Sequence, residues 1–303
     1  MSEPIKFSHR LEAFGYDVLT GLLRLLPFRF VSWLGGAILR LIGPMTSKQK
    51  IAETNMRIAF PDASDTERQQ YLRDQWDNTG RTFAEFALTD RIRAFENDAK
   101  VTVEGLDHFL KNAPGILISG HFANWEVMAT VLTQSTKPVR VTYRKINNPL
   151  IDQRVRAQRE AYGTQFLVQK STHRGGRELF EALRNGQSIA IMNDQKFNTG
   201  LKLPFFGVDA MTAQGAVRLS LKTNRPILPM CVVRTGARFH VTFYPPLHWE
   251  KIGRRDIDVE TGVRAVTAFI EDRIRENPPQ WFWVHRRWPK SVYQNDHATK
   301  GTQ

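Results

Sequence analysis

Apolar residues recur along this chain in two rhythms. Between residues 11 and 41 they form stretches at 18–23 and 30–39, broken by Arg24, Pro27 and Arg29. Residues 46–95 then keep helical spacing. Tyr71, Leu72 and Trp76 stand behind Ser64-Asp65-Thr66-Glu67, the pattern of a capping box. Phe83, Phe86 and Ala87 continue the spacing around Glu85. From Val101 onward, short apolar runs alternate with amphipathic ones. Segments 101–103, 116–119, 139–143, 188–192, 227–234 and 240–244 predict strands. Segments 106–111, 125–132, 149–162, 175–185, 213–222 and 258–277 predict helices. This alternation predicts one α/β domain, a central mixed sheet flanked by helices, with active residues at strand ends. Residues 1–45 form a separate helical segment, 46–293 the main domain, and 294–303 a polar, mobile tail.

Composition narrows the classes. A chain of 303 residues with 41% hydrophobic and 24% charged residues can bury a full core and is not a disordered protein. Its single cysteine, Cys231, excludes an intramolecular disulfide and sits in an apolar run that predicts packing. Residues 1–10 are polar and no cleavage site follows an apolar core, so no signal peptide is expected. The stretches at 18–23 and 30–39 fall short of the roughly 18–20 residues that span a bilayer. With Arg24, Arg29 and Arg40 at headgroup level, they suit two short helices lying in a membrane interface. Phe28, Phe30, Trp33, Gly35 and Gly36 add aromatic and small-residue character to that reading; an amphipathic pair packed on the domain is the alternative. The net charge of +13 favours anionic partners, meaning acidic lipid or acidic protein. Nucleic acid is the weaker choice, because the chain has no zinc finger, RRM signature or basic heptad region.

The chemistry concentrates in Gly120-His121-Phe122-Ala123-Asn124-Trp125-Glu126. It follows a predicted buried strand and opens a helix. Neutral imidazole accepts a proton near pH 7, and a carboxylate on its other nitrogen fixes the tautomer. His121 and Glu126 therefore suit proton removal from a hydroxyl that attacks an ester or thioester. The bland alternative is a histidine satisfied at a helix start, with a glutamate favoured by the helix dipole. Zinc is disfavoured by the lack of His-Glu-x-x-His spacing, and a serine nucleophile by the lack of a Gly-x-Ser-x-Gly elbow. Asn124 or turn amides near Gly120 are candidate oxyanion donors.

Further candidates lie downstream. Arg144 and Lys145 after a strand suit an anionic group, with a surface ion pair as the alternative. Arg174 and Arg177 flank two glycines, an anion site or simply a turn opening a basic helix. Asp194 and Gln195 end a strand as site-lining groups or a turn. Phe205 and Phe206 stand in an apolar loop, as channel lining or core. Trp281, Trp283 and Trp288, interleaved with His285, Arg286 and Arg287, form a structural edge or a headgroup contact.

Taken in order, the His121–Glu126 motif, Tyr143-Arg144-Lys145-Ile146-Asn147-Asn148-Pro149, Arg174-Gly175-Gly176-Arg177, Asn193-Asp194-Gln195, Pro204-Phe205-Phe206-Gly207 and Trp283 to Trp288 resemble the late acyltransferases of lipid A biosynthesis. That family is a branch of the lysophospholipid acyltransferase superfamily, and the resemblance runs from about Asn55 to about Trp288. It implies transfer of a fatty acyl chain from acyl carrier protein to a hydroxyl of a Kdo-bearing lipid A precursor, at the cytoplasmic face of the inner membrane. It also implies His-Glu general-base catalysis without cofactor or metal, and supports site roles for Asp194 and Gln195. Glycerol-phosphate acyltransferases usually carry aspartate where this chain has Glu126, and a Phe-Pro-Glu-Gly block that it lacks; both departures point to a saccharide acceptor. The alternatives are another membrane glycolipid such as a phosphatidylinositol mannoside, or a non-catalytic lipid-binding protein of the same fold.

Overall fold

The computed structural model describes residues 5–96, 99–167 and 173–295. Its first third is helical. Helices α1 (Phe7–Arg24) and α2 (Phe28–Ile42) are separated at Pro27, the residue that caps α2. They are followed by α3 (Lys48–Ala59) and α4 (Asp65–Glu85). The capping box closes as its spacing predicts: Glu67 N donates to Ser64 Oγ at 3.2 Å, and Ser64 N to Glu67 Oε2 at 2.8 Å.

Helix α2 crosses α4 backbone to backbone. A Cβ on Gly80 would fall 2.1 Å from the Gly35 carbonyl oxygen, and one on Gly36 would fall 2.5 Å from Asp77 Oδ1. The small residues read as interfacial character are therefore the crossing point of two helices, and Phe28 is buried with them. Phe30 and Trp33 do stay exposed. No helix among the described residues is long and apolar enough to cross a membrane.

Strands and helices then alternate: β1 (Val101–Glu104), α5 (Leu106–Asn112), β2 (Ile116–Ser119), α6 (Glu126–Gln134), β3 (Val139–Thr142) and α7 (Pro149–Ala161). They continue with β4 (Gln165–Leu167), α8 (His173–Arg184), β5 (Ser188–Met192), β6 (Lys196–Phe205) and β7 (Val208–Thr212). Last come α9 (Gly215–Thr223), β8 (Ile227–Thr235), β9 (Arg238–Phe243), α10 (Arg255–Glu276) and α11 (Lys290–Asn295). Seven strands make one sheet in the order β1-β9-β8-β2-β5-β3-β4. Only β8 and β9 pair antiparallel, so the sheet is mixed as expected. Strand β2 lies inside it, buried at every position, which explains its unbroken apolar run.

Beyond the short edge strand β4, which no predicted segment covers, two regions depart from expectation. The apolar loop predicted around residues 201–207 is a β6–β7 hairpin forming a sheet of its own. Pro204 hides it from a strand search, because proline is tolerated only where its missing N–H is not needed. Phe206 and Gly207 turn it with φ of 51° and 75°, the left-handed pair that a tight hairpin requires. The tail is shorter than expected, since 290–295 is α11; residues 296–303 lie outside the described residues.

Candidate active site

Parallel pairing of β2 with β5 sets Ser119 opposite Met192, so the residues that follow both strands emerge side by side. After β2 the chain passes through Gly120, where a Cβ would meet the Phe122 ring at 2.7 Å and Asp194 Cβ at 3.2 Å. After β5 comes Asp194, fully buried. The result is a contact absent from any local motif: His121 Nδ1 lies 2.8 Å from Asp194 Oδ1. Asp194 Oδ2 accepts from the His121 backbone N–H at 2.9 Å and from Trp281 Nε1 at 2.8 Å. Burial alone would raise the Asp194 pKa, but His121, by charge and by hydrogen bonds, holds it well below the usual carboxylate range. An ionised carboxylate only accepts, so Nδ1 carries the proton and Nε2 is left as the base.

Glu126 does not orient His121. It is the first residue of α6 and meets α7, where Arg159 grips it with Nε at 2.8 Å and with Nη2 on the other oxygen. Tyr162 O–H adds a third bond at 3.2 Å. Burial, then the Glu126 charge, pushes the Tyr162 phenol upward, so Tyr162 remains a donor. The predicted His–Glu contact is therefore replaced by two contacts, His121–Asp194 and Glu126–Arg159. The cause is geometric: Glu126 opens a helix that leads away from the strand ends, whereas Asp194 follows the neighbouring strand.

His121, Glu126, Arg144 and Arg159 share the wall of one cavity of about 230 Å³. The rest of that wall is largely apolar, with Leu117, Met128, Leu132, Val141, Ile191 and Met230 among its residues. Trp125 also lines it and stands edge-on to the His121 ring at 5.1 Å between centroids. A hydrocarbon chain fits such a wall, and a base beside it can serve a bond at the end of that chain.

Other predicted site residues are placed elsewhere. Asn124 is fully buried; its Nδ2 donates to Glu85 at 2.9 Å and its Oδ1 accepts from Glu126 N at 3.2 Å, so it braces the turn instead of meeting substrate. Lys145 is exposed beside Arg144, and Gln195 is half-buried, both off the cavity wall. Arg177 is exposed and paired with Glu181 at 2.8 Å. The Arg174 side chain lies outside the described residues. Phe205 and Phe206 belong to the aromatic core, Phe205 against Trp281 and Trp288 and Phe206 against Phe60. The apolar cavity wall is built instead by β2, α6, β3 and β5. Arg159 and Tyr162 went unnoticed as site residues, and no local signal marks them: their partner is more than thirty residues away in sequence.

Comparison with known proteins settles the class. The model of the bacterial lipid A biosynthesis acyltransferases matches residues 5–290. This chain belongs to that family. It is an acyltransferase. A lipid A biosynthesis palmitoleoyltransferase of Escherichia coli (strain K12) is 27% identical, covering 87% of this chain and 86% of its own. A lipid A biosynthesis acyltransferase of Haemophilus influenzae is 26% identical over 78% of this chain and 76% of its own. A lipid A biosynthesis lauroyltransferase of Escherichia coli (strain K12) is 24% identical over 86% and 84%. The site described above thus lies within an acyltransferase matched along nearly its whole length.

Proposed function

We propose that this acyltransferase moves a fatty acyl chain from acyl carrier protein to a hydroxyl of a Kdo-bearing lipid A precursor, with His121 as general base. The observation that carries the reading is the His121–Asp194 pair on the wall of an apolar cavity. His121 Nε2 takes the proton of the acceptor hydroxyl as its oxygen attacks the thioester carbonyl. Asp194 holds the ring and stabilises the imidazolium that forms. The carbon–sulfur bond then breaks, and the imidazolium returns its proton to the leaving thiolate. Glu126, neutralised by Arg159, closes the polar part of the wall without adding net charge. Arg144 and Lys145, exposed beside the cavity, suit the phosphate or sugar carboxylate of the acceptor.

Two features support the donor and the setting. A net charge of +13 attracts an acidic carrier protein and acidic lipid alike. Phe7, Leu11, Phe14, Val18, Leu22 and Leu25 form an exposed apolar stripe at helical spacing on α1, a face suited to the cytoplasmic side of the inner membrane.

The test uses detergent-purified protein and its His121→Ala variant, incubated with acyl-carrier-protein donors and lipid A precursors. Mass spectrometry should detect one added acyl group, with the variant slower by about 10²- to 10⁴-fold. Transfer undiminished in the variant would remove His121 as the base; a folded protein that acylates none of these acceptors would remove the lipid A reading.

A further inference from the structure

A second set of buried polar residues lies behind the turn that carries His121 and Glu126, where no substrate reaches. Arg234, next to last in β8, and Glu85, last in α4, are both buried. Their ion pair is two-pronged, with Arg234 Nη1 on Glu85 Oε1 and Nη2 on Oε2 at 2.9 Å. Arg234 also donates from Nε to Asn78 Oδ1 at 3.0 Å and from Nη2 to Thr82 Oγ1 at 3.1 Å, and packs over the Phe239 ring.

The branches through Glu85, Thr82 and Gln280 end on the same short turn. Glu85 Oε2 accepts from Asn124 Nδ2 at 2.9 Å, and Asn124 Oδ1 in turn accepts from Glu126 N at 3.2 Å. Thr82 Oγ1 lies 2.8 Å from the Ala123 carbonyl and 2.9 Å from the Asn78 carbonyl and shares its one proton between them. The Ala123 N–H donates to the Gln280 carbonyl at 2.7 Å, while the Gln280 side chain clasps the Arg234 backbone, accepting from its N–H at 2.7 Å and donating to its carbonyl at 2.9 Å. Ala123 itself has φ of +41°, a left-handed conformation that a residue with a Cβ keeps only when its surroundings over-determine it. Here the amide, the carbonyl and the following side chain are all held from one direction.

Burying two charges is costly, and an apolar pair of similar volume would join helix to sheet at least as well. Stability is thus a poor reason for this pair. What an apolar pair could not do is hand hydrogen bonds to Asn124 and, through Thr82, to Ala123. We propose that Glu85 and Arg234 are positioning residues for acyl transfer, holding the 120–126 turn so that His121 meets Asp194 while Glu126 meets Arg159. This rests on the reading of His121 as the base. A displacement of about 1 Å in such an arrangement costs on the order of 10² in rate.

The test compares the intact protein with Glu85→Leu/Arg234→Met, which removes both charges together, and with Thr82→Val, which keeps shape and the Glu85–Arg234 ion pair but removes the hydroxyl that meets the Ala123 and Asn78 carbonyls and accepts from Arg234. Turnover, KM, the pH profile of kcat/KM and melting temperature are measured, together with the His121 imidazole resonance against pH. The double variant should fold, lose about 10²-fold in kcat with KM within about threefold, and shift both the acid limb of the profile and the His121 titration. Thr82→Val should move the same readouts in the same direction by a smaller, several-fold amount. A folded double variant with native kcat and an unmoved His121 titration would overturn the proposal. So would a double variant that loses turnover only by unfolding while Thr82→Val behaves as the intact protein. If the intact protein transfers no acyl group, the reading of the function fails on its own, and the His121 resonance still decides whether the pair positions the ring.

Discussion

At His121 the decisive atom is Nδ1. Its hydrogen bond to Asp194 makes Nε2 the basic nitrogen, and the buried carboxylate stays ionised because the charge and the two hydrogen bonds of His121 outweigh its burial. Asp194→Asn keeps the volume but can present an N–H to Nδ1, which favours the wrong tautomer. We expect kcat to fall by about 10²- to 10⁴-fold with the melting temperature little changed. A variant retaining more than a tenth of the native kcat would mean that the ring is oriented by something else. Glu126 illustrates how a motif can be right in its residues and different in its wiring: both ends of the pair line the cavity, yet each is bonded to a third residue that sequence proximity does not reveal.

Helix α1 is joined to the body mainly through its polar side. Asp17 pairs with Arg154 at 2.5 Å, Arg24 with Asp90 at 2.7 Å, and Glu12 accepts from Asn148 at 2.8 Å, while Ala13 is its one buried side chain. Exposed ion pairs of this kind are screened by water and hold the helix only weakly. The helix therefore leaves a whole apolar stripe in water, including Phe14 at 66% and Leu22 at 58% exposure. Burying one such side chain is worth roughly 1.5–3 kcal/mol. Replacing both, as Phe14→Glu/Leu22→Glu, should cut partition onto anionic phospholipid vesicles by at least about tenfold in co-sedimentation, with no loss of secondary structure. Equal sedimentation of variant and native protein would assign the stripe to something other than lipid.

Across the whole molecule, the centre of the core is also its most polar part. Asp194 lies among Trp281 and Arg287, both buried, and His285, which is half-buried with its Nε2 shielded from solvent. Burial pushes His285 down to about 4, against the pull of Asp194, and its Nδ1 is committed as donor to the Phe282 carbonyl at 2.6 Å. Because the folded value lies below the ordinary 6.5, the neutral ring contributes stability that is fully present above about pH 6.5 and is lost as pH falls toward 4. The depressed Asp194 acts in the same direction, but below its ordinary value of 3.8, so the two windows are separate. Denaturant unfolding from pH 7 to 4 should show a loss of ~3 kcal/mol attributable to His285, and His285→Phe should flatten that slope even if it lowers stability at pH 7. Parallel slopes for the two proteins would show that the ring does not charge on unfolding.

Much of this architecture was legible in the chain itself, because periodicity is a local property. The strand at 116–119, the strand at 188–192, the capping box at Ser64 and the helices after each strand all follow from spacing that neighbouring residues carry. So does the position of His121 at a strand-to-helix turn, which is visible in seven residues. The hairpin of β6 and β7 is hidden by Pro204, and the helix crossing made by the glycines of α2 shows only in space, because packing partners such as Gly80 stand far along the chain. Which carboxylate meets the imidazole was decided by strand order. Only when β2 and β5 lie side by side does Asp194 reach His121, and only when the end of α7 comes near the start of α6 does Arg159 reach Glu126. Sequence determined the parts through local periodicity; tertiary structure decided their pairing, because hydrogen bonds and ion pairs depend on distances in space that separation along the chain does not encode.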